Sequence, residues 1–290
     1  MICARRLHLD LVSVPKTYDW LAGGGEMGRL VRAHDWSLSP LGPPSRWPQS
    51  LKTALSICLG SRFPMVIWWG HELCVFYNDA YIPITGPLKH PMFLGRPAQE
   101  QWPEIWDVVG AQAKHVLATG EATWSEDQPL FMTRSGFVEE CYFTFSFSPA
   151  REESGAVGGM FCAVQEMTAR VIGERRLRVL RELGAGAPET VERVAASAAQ
   201  IIGKSANDAP FVLVYLTSGT GATAVLSGVS GVAASSSMAP EVIALTSSAA
   251  HWPLARVNET RRPERVDGLR ERFPADLPRI GCGSIRAAEG

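Results

Sequence analysis

The stretch FVEECYFTFSFSP, residues 137–149, constrains the fold most. Phe137, Cys141, Phe143, Phe145 and Phe147 fall on one side of an extended chain, and Glu140, Tyr142, Thr144 and Ser146 on the other. Successive side chains of a strand point to opposite faces, so this alternation predicts a long, half-buried strand in an antiparallel sheet. Such a strand needs neighbours and a covering layer before its apolar face is out of water.

The neighbours are legible. PMVIWWG and LCVFYN (64–70 and 73–78) are short runs of β-branched and aromatic residues, and Gly70-His71-Glu72 turns one into the other. ATWSEDQPLFM (122–132) precedes the long strand, with Arg134-Ser135-Gly136 as the turn, and GMFCAVQEMT (159–168) follows it. Helices are expected between and before them. One carries Met27, Leu30, Val31 and His34 at helical spacing, and a second, capped by Ser50, carries Leu51, Ala54, Leu55 and Cys58. Asn78 and Asp79 open a short helix that Gly86-Pro87 ends, and a longer one runs over residues 103–118 to Gly120. The predicted class is α+β: a five-stranded antiparallel sheet with flanking helices over residues 35–167, after an N-terminal extension and first helix over 1–34.

At residue 168 the period changes. TARVIGERRLRVLRELG reads as a charged connecting helix, 168–184, which Thr168 can cap and Gly184 can end. Val171, Leu177, Leu180 and Leu183 form its apolar seam, either a dimerising face or the packed side of a solvated helix. Residues 185–290 form a second α+β unit: a helix over 189–204, strands PFVLVYL and AVLSGVSG around a Gly/Ser-rich hairpin, and a helix over 240–249. The tail from Arg270 shows neither period, and with about 100 residues the unit is expected to be incomplete.

Composition narrows the partners. A formal net charge of −1, with 46% hydrophobic and 20% charged residues, gives no reason to expect nucleic acid or an acidic membrane surface. No apolar run approaches the roughly 18 residues of a bilayer span, and the N-terminus has no signal-peptide core, so a cytoplasmic address is expected. The six cysteines show no C-x-x-C spacing and read as reduced core residues. Neither G-x-S-x-G nor H-E-x-x-H occurs, and Glu139 and Glu140 project to opposite faces of one strand, so no hydrolytic site is expected.

The segments GGGEMGRLVRAHDWSLSPLGPPSRWPQSLKTALSICL, RFPMVIWWGHELCVFYNDAY, LGRPAQEQWPEIWDVV and YFTFSFSPAREESGAVGGMFCAVQEMTARV together resemble the N-terminal PAS domain of bacterial sensor histidine kinases in which a signalling helix and a GAF domain follow. The resemblance covers about residues 21–230. It implies the sensory input region of a two-component protein without a catalytic core. It also implies a homodimer through the PAS domain and helix, downstream kinase or response-regulator modules, and a small-molecule signal not named by the residues. The second unit then corresponds to a GAF-like domain.

Within the resemblance His71 lies at a strand junction, where relatives carry proline, and not on the dimerisation helix of a phosphoacceptor. Glu166-Met167-Thr168 stands where PAS domains carry an Asp-x-Thr element, with Arg170 the candidate partner of Glu166. The ligand-pocket candidates are Trp68, Phe76, Tyr77, Trp106, His115, Phe143 and Phe145, which serve equally as core. No cofactor is required. Haem would take His115 as its ligand, the light-sensing flavin motif lacks its cysteine, and Cys3 as a bilin attachment site lacks the accompanying motif. The alternatives are a stand-alone small-molecule or haem-binding sensor and a truncated-gene remnant without signalling activity.

Overall fold

The computed structural model describes residues 20–186, 190–246, 251–274 and 276–277. Cys3, Cys282, the extension over residues 1–19 and the end of the tail lie outside the described residues. The chain divides into two compact units after Ala169.

The first unit is built on five antiparallel strands: β1 (Met65–Trp69), β2 (Cys74–Tyr77), β3 (Ser125–Thr133), β4 (Val138–Arg151) and β5 (Val157–Glu166). Their order across the sheet is β2-β1-β5-β4-β3. The alternation seen in the sequence is the register observed: Phe143, Phe145 and Phe147 lie opposite Glu166, Val164 and Cys162 of β5. His71 is an exposed turn residue between β1 and β2.

Helices cover both faces of this sheet. On one side α3 (Ile82–Thr85), α4 (Ala98–Gln101) and α5 (Trp106–Thr119) bring Tyr81, Trp102, Ile105 and Val109 against the phenylalanine face. Gly120, in the left-handed conformation, ends α5 as expected. On the other side Phe76 stacks on Trp36 and meets Trp47 edge-on, at 5.0 and 5.4 Å between ring centroids. The helices α1 (Gly25–Ala33) and α2 (Gln49–Gly60) belong to the same core, with Met27, Val31, Leu51 and Leu55 fully buried. The first helix is thus part of the folded unit instead of preceding it at residue 35.

Two capping assignments change. Ser50 does not cap α2, which starts one residue earlier behind Pro48; the carboxylate of Glu153 accepts the Ser50 backbone N–H at 2.8 Å. Asn78 does cap its short helix, accepting from Tyr81 N at 3.2 Å, but Asp79 caps α1, accepting from Glu26 N and Met27 N at 2.9 and 2.7 Å. Gly25, at φ 61°, has no room for a Cβ, because the Asp79 carboxylate fills that position.

The helix α6 (Thr168–Gly184) leads into the second unit, where α7 (Val191–Gly203) lies on a sheet of order β6-β7-β8: β6 (Val212–Thr217), β7 (Thr223–Ser230) and β8 (Val242–Ala244). The helix expected over 240–249 is corrected over its described part, where Val242–Ala244 form β8; residues 247–249 lie outside the described residues. Val242, Ile243 and Ala244 pair with Val225, Ala224 and Thr223, because the free edge of β7 satisfies their backbone and Ile243 gains burial. Short helices α8 (Leu254–Thr260) and α9 (Leu269–Arg272) follow, the latter within residues expected to lack a pattern. Among the described residues no helix is long and apolar enough to cross a membrane.

Candidate functional site

Two places in the first unit could carry function: the interior between sheet and helices, and the junction where β5 becomes α6.

The interior holds a cavity of about 40 Å³. Trp68, Phe143 and Phe145 line it from the sheet, and Tyr81, Trp102 and Val109 from the helical side. Ligand pockets commonly measure about 300–1,000 Å³, so these aromatic residues are chiefly core. Burial pushes the Tyr81 phenol and the Cys162 thiol up, so both wall groups are neutral. The indole N–H of Trp68 is buried without a hydrogen-bond partner, and so are both amide atoms of Gln101, just before Trp102.

Of the remaining pocket candidates, Phe76 packs on the opposite face of the sheet. Tyr77 is buried beside His90, its hydroxyl 3.1 Å from Nδ1, and Trp106 packs on Trp68 at 5.8 Å without lining the cavity. His115 is exposed on α5 and does not line the cavity; a haem ligand would have to face inward, so the structure removes this assignment. Among the described residues no three side chains are grouped to hold a metal ion. Sequence reasoning missed Tyr81 and Val109 as wall residues.

At the junction Thr168, the first residue of α6, binds back to the sheet. Its hydroxyl accepts from Tyr142 N at 3.0 Å and donates to Glu166 at 2.9 Å. Arg134, in the turn between β3 and β4, grips Glu166 with two bonds of 2.9 Å and donates to Glu139 at 2.9 Å. Burial opposes ionisation of Glu166, but Arg134 and Thr168 outweigh it and hold its carboxyl below the usual range. Arg170, expected as the partner, pairs instead with Glu174 one helical turn on, a geometry that helical spacing favours. No local sequence signal pointed to Arg134.

A polar contact chain joins the helical side to this turn. Lys89 lies 2.5 Å from Glu104 and 4.1 Å over the ring of Trp102, and Glu104 accepts from Thr133 N at 2.9 Å, next to Arg134. Beyond the junction none of the α6 side chains is buried, and Leu177, Leu180 and Leu183 are 52%, 63% and 36% exposed.

No family model matches the chain, nor does any curated protein. Similar solved structures include a sensory-box sensor histidine kinase from Vibrio cholerae, at 17% identity over 41% of this chain and 90% of that one, TM-score 0.29. A PAS domain from Colwellia psychrerythraea is 12% identical over 41% of this chain and 98% of its own, TM-score 0.33. An RNA-binding light-oxygen-voltage receptor is 21% identical over 50% of this chain, which spans 40% of that receptor, TM-score 0.34. The strand order β2-β1-β5-β4-β3, with the helical layer inserted between β2 and β3, decides the fold. The first unit is a PAS fold. In this PAS unit the β3–β4 turn and the end of β5 meet at one carboxylate, Glu166, and α6 starts two residues later.

Proposed function

We propose that the chain is a sensory input module in which the PAS unit biases the helix α6 and, through it, signalling modules of the two-component type. The observation that carries this reading is the clasp of Arg134, Glu166 and Thr168. It ties the first turn of α6 to two strands by charge-assisted hydrogen bonds, so a displacement of the β3–β4 turn must either drag the helix or break the clasp. The contacts from Trp102 through Lys89 and Glu104 to Thr133 connect that turn with the wall of the cavity.

The partner surface in this reading is α6 itself. A helix with no buried residue and three exposed leucines is served by a second copy, which would make the module a homodimer. The second unit, a helix on a three-stranded antiparallel sheet, is read as the GAF-like domain that follows. Light scattering on the eluting protein checks the partner surface. Wild type is expected at twice the chain mass, and Leu177→Glu with Leu180→Glu at the chain mass with an unchanged circular dichroism spectrum. A double variant that stays dimeric removes α6 from the interface.

A further inference from the structure

The helix α7 has two apolar sides. On one, Ala195 and Ala199 are buried against Gly228 of β7 and leave no room there for a Cβ. The other side is open. Val191, Val194, Ala198 and Ile201 follow one another at steps of three, four and three residues, and Val191 and Val194 are 64% and 47% exposed. One stripe suffices to pack a helix on its own sheet; a second stripe with a 3.5-residue period is the seam of a helix–helix pair. An open groove of about 540 Å³ runs along Val194, Ala198 and Ile201 and reaches Leu183 of α6.

Period, charge and size name the occupant. α6 carries the matching pattern, with Gly173, Leu177, Leu180 and Gly184 at steps of four, three and four. Within one chain the two stripes do not cover each other, since Leu177, Leu180, Val191 and Val194 all stay exposed. Arg178 and Arg181 of α6 form no ion pair among the described residues, and neither does Glu192 of α7, so the two helices carry unmatched charges of opposite sign. Pairing α6 with α6 is less favourable. A parallel pair would set Arg176 of one helix against Arg181 of the other, at flanking positions where opposite charges belong. In an antiparallel pair the acid facing Arg181 is Glu174, which Arg170 already holds at 3.0 Å. A specific interface takes about 20–30 residues a side, and α6 has 17, of which one face can meet a partner. Glu192 and Arg193 balance each other, so α7 favours neither nucleic acid nor an anionic lipid surface.

We propose that the exposed stripe of α7 receives the leucine seam of α6 from a second copy of this chain. The dimer then rests on two such contacts, α6 of each copy on α7 of the other, related by a two-fold axis that closes the assembly. The proposal rests on the sensory reading in taking α6 as the dimer surface, and adds what that surface meets.

Oxidative cross-linking of co-expressed full-length chains with different tags tests the contact. Both chains carry Cys3→Ser and Cys282→Ser, and Cys58, Cys74, Cys141 and Cys162 are buried. One chain receives Leu177→Cys or Leu180→Cys and the other Val194→Cys or Ala198→Cys. A disulfide joining both tags is expected in at least one of these pairings, where the Cα atoms come within about 7 Å, and none is expected from any variant expressed alone. Val194→Glu, at a position already 47% exposed, is expected to bring the protein from twice the chain mass to the chain mass with an unchanged circular dichroism spectrum. The α6 variants linking to themselves, a dimer that links in no pairing, or a Val194→Glu protein that stays dimeric would each overturn the proposal. The first of these outcomes leaves α6 standing as the dimer surface. A wild-type protein at the chain mass would sink both readings together.

Discussion

Arg134 satisfies two carboxylates from a position in a turn, and its side chain is 14% exposed, so removing it leaves Glu139 and Glu166 partly buried and uncompensated. Arg134→Ala is expected to destabilise the PAS unit by about 2 kcal/mol, less than for a fully buried pair because water reaches both acids. The pH dependence follows from Glu166. Its carboxyl is held below the ordinary glutamate range in the fold, so its contribution is present above the unfolded value of roughly 4.3 and is lost as pH falls through the lower folded value. Urea midpoints of wild type and Glu166→Gln should therefore converge as pH drops from about 6 to about 3. A gap that stays constant over that interval would show that the carboxylate is not what the clasp stabilises.

Helix starts make the same point one level up. The open N–H groups of α1 are taken by Asp79, 52 residues away from Met27, and that of Ser50 in α2 by Glu153, 103 residues away. Asp79→Ala is expected to lower stability by about 1 kcal/mol by uncapping α1. Gly25→Ala should cost at least as much, since the new Cβ displaces the same carboxylate from a residue already at positive φ. Thermal melts check both, and additive losses in the double variant would contradict a shared cause. These contacts explain what the sequence did and did not disclose. The alternation of β4 and the cap by Asn78 are local patterns, with periods or spacings that a reader can count, and both were legible. Asp79, Glu153 and Arg134 act across long separations through chain reversal, and nothing next to them in sequence announces a partner. The cavity was half legible for the same reason: the strand residues Phe143 and Phe145 follow from alternation, whereas Tyr81 sits in a short helical turn without a countable period. β8 was misread because three residues pair with an edge only after β7 has formed.

The two units have unequal cores. The first has one contiguous cluster that includes Trp36, Trp47, Trp68, Trp102 and the three phenylalanines of β4. In the second, the buried hydrophobic residues among those described are Ala195, Ala199, Ala224, Met238, Ala239, Ile243 and Phe273, four of which are alanines that bury little area. Burial supplies roughly 25 cal/mol per Å², so the second unit has far less to set against its backbone entropy, and its three-stranded sheet should open at lower denaturant. Eight of the nine tryptophans precede residue 170, with Trp252 the exception, so fluorescence chiefly follows the first unit while circular dichroism follows both. The expected result in guanidinium is a loss of ellipticity that begins while tryptophan emission is still native, followed by a second transition seen by both probes. Hydrogen exchange should agree, with amides of β6 and β7 exchanging well before those of β4 and β5. Superimposable transitions by both probes would mean that the smaller core is stabilised by something beyond its own buried residues.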